Sequence, residues 1–202
     1  ERYYAYFADR LKRRGILLTG DITPSYSGLS AGTLENIRRG FEAHAIPVRP
    51  VFLMRDPIER IISSARMQRR KQGLFDSAGE VAALRELCRE RPERIVLRGN
   101  YGRTLKALDA TFGLHHCFVD LYEQLFTPTC WIRLCRVLSV PYEEPQWDQK
   151  LNVSRTDTDL PEDVLADLGQ WQAPALNAVR QTCPHLDIER LWPTAVRWCP
   201  PS

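Results

Sequence analysis

Segments with apolar residues at helical spacing alternate along this chain with short, continuous apolar runs. The apolar runs predict three strands, at residues 16–18, 51–54 and 117–121. Helices are predicted for residues 2–14, 33–45, 57–71, 81–91, 101–112 and 131–138, and for a last region that begins at Pro161 and is interrupted by Pro174. Helices that alternate with buried strands indicate an α/β fold, with a parallel sheet covered by helices on both faces.

The stretch from Val48 to Lys71 is the best-defined of these units, a strand that runs into a helix. Its apolar run, VFLM, is typical of a strand buried on both faces. Asp56 follows where a helix N-cap belongs, and Pro57 occupies the first helical position, which suits its fixed φ. Arg55 is left at the carboxyl end of the strand, beside the positive end of the helix. Anionic ligands bind at that place in open α/β sheets.

The helix that follows Arg55 has one apolar face and one basic flank. At about 100° per residue, the apolar side chains that share a face are Ile58, Ile61, Ile62 and Ala65. Ser63 lies away from that face, in line with Arg66 and Arg70. Together with Arg55 these groups could form a phosphate pocket, but an ordinary solvated basic face gives the same pattern.

Composition narrows the class of protein. The chain has 202 residues, 44% hydrophobic and 26% charged, which are globular values and favour one α/β domain over residues 1–202. The net charge of +3 is too small to predict nucleic-acid binding, and no apolar run is long enough to span a bilayer.

The six cysteines form neither a CxxC pair nor a zinc-binding spacing. Cys183 and Cys199 flank a proline-containing loop and could pair. Free thiols in a reducing compartment are the preferred interpretation, so we expect a cytoplasmic protein.

Several stretches, taken in chain order, resemble one enzyme family. RDPIERIIS, from Arg55 to Ser63, is similar to the cofactor motif of sulfotransferases that use 3'-phosphoadenosine 5'-phosphosulfate (PAPS), and its form is closest to the heparan-sulfate type and its bacterial relatives. The segments that resemble further motifs of that family, in the family's order, are DITPSY from Asp21, GNYGRTLKAL from Gly99, VDLYEQLF from Val119 and LNVSR from Leu151.

The resemblance implies a P-loop-NTPase-like three-layer sandwich, PAPS as donor, 3'-phosphoadenosine 5'-phosphate (PAP) as product, and no metal. It implies that Arg55 and Ser63 grip the 3'-phosphate of the cofactor. The other residues that it suggests are Tyr101, Asn152 and Arg155 for the cofactor and Asp21 and Tyr26 for the substrate. For Tyr101, simple packing is the commoner role of a tyrosine that begins a helix. A solvated loop is an equally open interpretation of Asn152 and Arg155, and a loop or helix cap of Asp21.

Two departures from the family pattern limit the assignment. The phosphosulfate-binding loop, rich in Lys, Ser or Gly and Thr, is absent from this sequence, so we expect it upstream of Glu1 and regard the domain as N-terminally incomplete. The catalytic Glu of the heparan-type enzymes follows that loop and is expected upstream as well. No catalytic residue is therefore assigned within the chain.

The acceptor is open: a small molecule, a carbohydrate or a lipid would each fit a sulfuryl transfer. A non-catalytic nucleotide- or anion-binding interaction module of the same fold is the main alternative. A P-loop kinase is less favoured, because the chain has neither the Walker lysine nor a Mg²⁺-binding Asp motif.

Overall fold

A computed structural model describes residues 2–147 and 159–200 of the chain. Within them the helices are α1 (Arg2–Leu11), α2 (Ala31–Glu42), α3 (Pro57–Lys71), α4 (Ser77–Glu90), α5 (Glu93–Gly99), α6 (Tyr101–Phe112), α7 (Tyr122–Leu125), α8 (Pro128–Leu138), α9 (Glu162–Thr182), α10 (Ile188–Leu191) and α11 (Pro193–Trp198). The strands are β1 (Val51–Met54) and β2 (Phe118–Leu121), and short 3₁₀ turns lie at Pro24–Gly28 and Leu114–His116.

The chain divides into two compact units. The first unit consists of Glu1–Leu53 and Arg103–Pro145, and the second of Met54–Gly102 and Gln146–Ser202. The interpretation of residues 1–202 as one domain stays a prediction.

The structure is mixed α/β and mostly helical, with β1 and β2 forming a two-stranded parallel sheet. The prediction of a strand at residues 16–18 is wrong, because these residues are irregular and exposed. The side chain of Leu17, for example, is 69% exposed. Three residues remain a strand only where a neighbouring strand pairs with their backbone. In the described part of the chain the sheet contains β1 and β2 alone.

The core of the first unit lies beside this sheet. Phe118 of β2 packs with Cys130 and Leu134 of α8, and Leu53 of β1 contacts the same cluster. Burial of β1 on both faces was expected, but Val51 is 44% exposed. The prediction of burial on both faces is therefore wrong at this residue.

The core of the second unit is formed by α3, α4, α9 and α11, which pack against one another. The apolar face predicted for α3 is confirmed, since the four side chains that define it are all buried: Ile58, Ile61, Ile62 and Ala65. None of the helices within residues 2–147 and 159–200 has the length and apolarity needed to cross a bilayer.

Pro174 does not interrupt the last helical region, which corrects the sequence-based expectation. It lies inside α9, a helix of 21 residues. A proline leaves the carbonyl four residues earlier without its helical donor. Both Pro174 and Gln170 are exposed, so water can hydrate that carbonyl. Buried residues on either side of the proline, such as Leu168 and Leu176, hold the helix in place.

Helix α9 approaches α11 at Gly169, and this contact yields a stability prediction. A Cβ at Gly169 would overlap the carbonyl of Trp198, which is backbone and cannot swing away. Gly169→Ala should therefore destabilise the protein by about 2 kcal/mol or more, as expected for overpacking. The matched control is Gly32→Ala in α2, where a Cβ meets only the Ser30 hydroxyl at 3.9 Å. It should stabilise the helix by about 0.5–1 kcal/mol.

Urea unfolding of both variants measures these changes. Equal effects of the two substitutions would contradict the close α9–α11 contact.

Candidate functional site

Arg55 lies between the end of β1 and the N-cap of α3, as predicted. The N-cap Asp56 is only 2% exposed and its carboxylate accepts hydrogen bonds from three backbone N–H groups. Its Oδ1 accepts from Ile58 at 3.0 Å and from Glu59 at 3.2 Å, and its Oδ2 accepts from Ala195 at 2.9 Å. The start of α3 is therefore fixed both to its own first turn and to α11.

Burial also affects the titration of this carboxyl group. It raises the pKa of Asp56 above its usual range, while the three backbone N–H donors act in the opposite direction. The folded state thus binds a proton at Asp56 more tightly than an exposed aspartate does. Asp56 is a structural acceptor that holds Arg55 in place, and its backbone donors leave it poorly suited to contact a ligand.

Tyr101 interacts directly with Arg55. Its hydroxyl donates a hydrogen bond to the Arg55 carbonyl at 2.7 Å. The tyrosine is 2% exposed, and its ring centre lies 5.9 Å from that of Trp192. This burial favours the interpretation that Tyr101 packs in the core. Tyr101 could then influence a ligand through Arg55, but it does not line a cleft itself.

Ser63 is half-buried in the second turn of α3. It lies six residues after Pro57, which is about 9 Å along the helix axis. Of the two arginines on its flank, Arg66 donates to Glu80 at 2.6 Å, in a pair whose side chains are only 17% and 6% exposed. Arg70 is exposed. Because Glu80 neutralises Arg66 and the Asp56 carboxylate caps the start of α3, an anion near Ser63 would depend mainly on Arg55.

The two predicted substrate residues are in direct contact in the first unit. Asp21 accepts a hydrogen bond from the Tyr26 hydroxyl at 2.6 Å and from the Thr23 hydroxyl at 2.7 Å. The Tyr3 hydroxyl donates to the same carboxylate at 2.9 Å. Tyr3 was not predicted as a site residue, since nothing in the sequence links a residue of α1 to a loop 18 positions later.

The contacts in this cluster shift the pKa values of Asp21 and Tyr3 in opposite directions. The hydroxyls of Tyr26, Thr23 and Tyr3 hold the pKa of Asp21 below its usual range. Burial, with the hydrogen bonds to Tyr26 and Asp21, raises the pKa of Tyr3. Asp21 is therefore a weak base and a good hydrogen-bond acceptor, which suits it to orient hydroxyl groups.

A cleft of about 560 Å³ lies on α3 in the second unit and was not predicted. Its walls include side chains of α3 and α11, among them Glu59, Ile62, Arg66, Thr194, Arg197 and Trp198. Asp159 and Glu162 also face it. With three carboxylates against two guanidinium groups, one of them paired with Glu80, the cleft is unfavourable for a bisphosphate.

Two of the predicted cofactor residues, Asn152 and Arg155, lie outside the described residues.

All six cysteines are free thiols, Cys183 and Cys199 included. Burial raises the pKa of Cys88 to about 11, so this thiol is protonated at neutral pH and is no nucleophile. Within residues 2–147 and 159–200, no three metal-ligating side chains are grouped so that they could hold an ion.

Comparisons with protein-family models, with curated proteins and with solved structures give no significant match to this chain.

The two N-caps flanking this region differ in burial, which gives a testable contrast. Asp56→Ala removes a cap and leaves the buried Ala195 N–H without its acceptor, so the loss in unfolding free energy should be about 3 kcal/mol. Asp76, the exposed cap of α4, accepts from the Gly79 N–H at 2.6 Å. Asp76→Ala should cost about 1 kcal/mol.

Chemical denaturation followed by circular dichroism measures both losses. If Asp56→Ala is no more costly than Asp76→Ala, Asp56 does not hold the start of α3 to α11.

Proposed function

We propose that this protein is a PAPS-dependent sulfotransferase that binds the 3'-phosphate of its donor with Arg55 and Ser63. The observation that carries the proposal is the junction between β1 and α3, which hydrogen bonds hold in a fixed geometry. Arg55 directly precedes the capped start of a 15-residue helix, and its carbonyl is fixed by the Tyr101 hydroxyl at 2.7 Å. Two of the residues that the family motif suggests are thus in direct contact.

Charge supports a phosphate at this junction. The Asp56 carboxylate already accepts the Ile58 and Glu59 N–H groups in the first turn of α3, so the charge that would bind a phosphate at this junction comes from the Arg55 guanidinium. A guanidinium group adds paired donors that match a phosphate in geometry. The three carboxylates of the cleft beside α11 oppose a bisphosphate. The junction is the better of the two places for the nucleotide.

The reaction would follow the in-line course of phosphoryl transfer. A general base takes the proton of an acceptor hydroxyl or amine, whose oxygen or nitrogen then attacks sulfur. A bond from sulfur to the acceptor forms as the bond from sulfur to the donor's 5'-phosphate oxygen breaks, and PAP leaves. Positioning and charge stabilisation contribute most of the rate enhancement.

Asp21 and Tyr26 would bind the acceptor. An exposed carboxylate that already accepts three hydroxyl hydrogen bonds can accept a fourth from a small molecule, a carbohydrate or a lipid head group. The P-loop-NTPase-like three-layer sandwich and a cytoplasmic location belong to the same proposal. The parallel pairing of β1 with β2 and the free thiols are in keeping with them.

The alternative is a non-catalytic module that binds a nucleotide or another anion. The absence of a phosphosulfate-binding loop from this sequence favours it. Transfer of labelled sulfate from PAPS to a panel of glycan, lipid and phenol acceptors distinguishes an enzyme from such a module.

Arg55→Ala tests the donor site directly. Loss of charge-assisted hydrogen bonds should weaken PAP binding by about 2 kcal/mol or more, roughly thirtyfold. Isothermal titration calorimetry with PAP and with AMP measures the effect. The wild type should bind PAP far better than AMP, because only PAP has the 3'-phosphate. The matched control is Arg94→Ala, an exposed arginine of α5 that bonds Gln68 at 3.1 Å.

Arg94→Ala should leave both affinities unchanged. Equal PAP affinity in Arg55→Ala and the wild type would remove Arg55 from the donor site. A wild type that does not distinguish PAP from AMP would overturn the proposed function itself.

A further inference from the structure

The 21–28 loop, which carries Asp21 and Tyr26, has little regular structure of its own. It contains a five-residue 3₁₀ turn, Pro24–Gly28, whose side chains are exposed or half-buried. The Thr23 hydroxyl donates to Asp21 and does not cap this turn. A short 3₁₀ turn has poorer hydrogen-bond geometry than an α-helix, and its exposed residues gain little from apolar burial. The conformation of the loop therefore depends on contacts from other elements.

Helix α6 supplies two of these contacts. The Thr104 hydroxyl donates to the Ser27 carbonyl at 2.7 Å. The Arg103 guanidinium donates through Nη1 to the Gly28 carbonyl, also at 2.7 Å. Adjacent side chains of the helix thus bind adjacent carbonyls of the loop, directly after Tyr26. Both side chains and the loop belong to the first unit.

Thr104 lies on the buried side of α6. It is 5% exposed, and Leu105 and Leu108 of the same helix are 0% and 6% exposed. A threonine within a helix commonly donates its one hydroxyl proton to a carbonyl of the preceding turn. In this protein the proton goes to the loop instead. Burial of the hydroxyl shields the bond from competing water, so this contact restrains the loop backbone more than an exposed one would.

The other end of the loop is held by a different element. The Tyr3 hydroxyl of α1 donates to the Asp21 carboxylate at 2.9 Å. The Tyr3 ring packs edge-on against Phe7 and Phe41, with ring centres 5.0 and 6.0 Å away. Tyr26 lies between the two anchored ends and donates to Asp21 at 2.6 Å. Its ring keeps this orientation only while the backbone that follows it stays in place.

Another threonine of α6 shows what a contact outside the loop looks like. The Thr111 hydroxyl donates to the Ala31 carbonyl at 3.3 Å, at the start of α2. This bond is longer, and it does not involve the 21–28 loop. If the hydroxyls of α6 served the fold alone, removal of either one should have the same kind of effect. A role of Thr104 in the site predicts an effect on ligand binding that Thr111 does not share.

We propose that Thr104 and Arg103 are positioning residues that hold the 21–28 loop in the conformation in which Asp21 and Tyr26 bind the acceptor of sulfuryl transfer. The inference rests on the proposed function. Neither residue would contact the acceptor itself. Because both bonds end on the backbone of the loop, they would act on acceptor binding and not on donor binding.

Thr104→Val tests the inference, because valine keeps the branched shape and loses the hydroxyl. The KM for the acceptor should rise about tenfold, with kcat at saturating acceptor unchanged, as expected when a hydrogen bond that preorganises a binding site is lost. Thr104→Ser restores the hydroxyl and should return this KM to within about twofold of the wild type. The assay follows labelled sulfate from PAPS to the glycan, lipid or phenol of the panel that reacts fastest. Calorimetry with PAP should show unchanged donor affinity in both variants.

The matched control is Thr111→Val, which should keep the acceptor KM of the wild type. Thermal unfolding checks that each variant folds. If Thr104→Val does not fold, Arg103→Met decides by the same criteria, because it loses the neighbouring bond to the Gly28 carbonyl.

Three results would overturn the inference and leave the proposed function intact. They are an unchanged acceptor KM in the folded variant, an equal rise in Thr111→Val, and a parallel loss of PAP affinity. A wild type that transfers sulfate to no member of the panel, or that binds PAP no better than AMP, overturns the proposed function and the inference with it.

Discussion

The second unit depends on one buried carboxylate. Asp56 accepts the N–H groups of Ile58 and Glu59 and thereby starts α3, and its other oxygen accepts the Ala195 N–H of α11. A carboxylate with three backbone donors tolerates burial that would otherwise neutralise it. The position of Arg55 follows from this arrangement, because the residue before a fixed N-cap has little freedom left. Backbone geometry therefore positions the candidate anion site, but its charge comes from Arg55, because Asp56 already accepts the first N–H groups of α3.

Features with a local cause could be predicted from the sequence. Asp56 and Pro57 specify a helix start within two residues, and Gly113, with φ of 73°, ends α6 where expected. Features that depend on distant partners could not. Residues 16–18 are all apolar, as in a buried strand, but they are irregular. A proline such as Pro174 usually ends a helix, yet α9 continues through it because the buried residues of α9 are held by other helices.

The same division applies to the candidate site. Arg55 could be identified because it directly follows a strand and precedes a cap, and Asp21 and Tyr26 are close in sequence and in space. Tyr3 joins them from another element, and no periodic pattern encodes that contact. The position of Arg60 opposite the apolar face favours exposure, but the side chain is half-buried. The binary pattern of a helix assumes one buried face, and α3 also partly buries a charged residue on its other side.

The arginines of α3 differ in how their charge is balanced. Arg66 pairs with Glu80 and Arg69 with Asp76, each at 2.6 Å. Arg60 forms no ion pair in the described part of the chain, and its Nη2 donates to the Ile95 carbonyl at 3.4 Å. Much of the basic flank that the sequence predicts is therefore balanced within the second unit, and the proposed donor site would draw its charge from Arg55 at the end of β1.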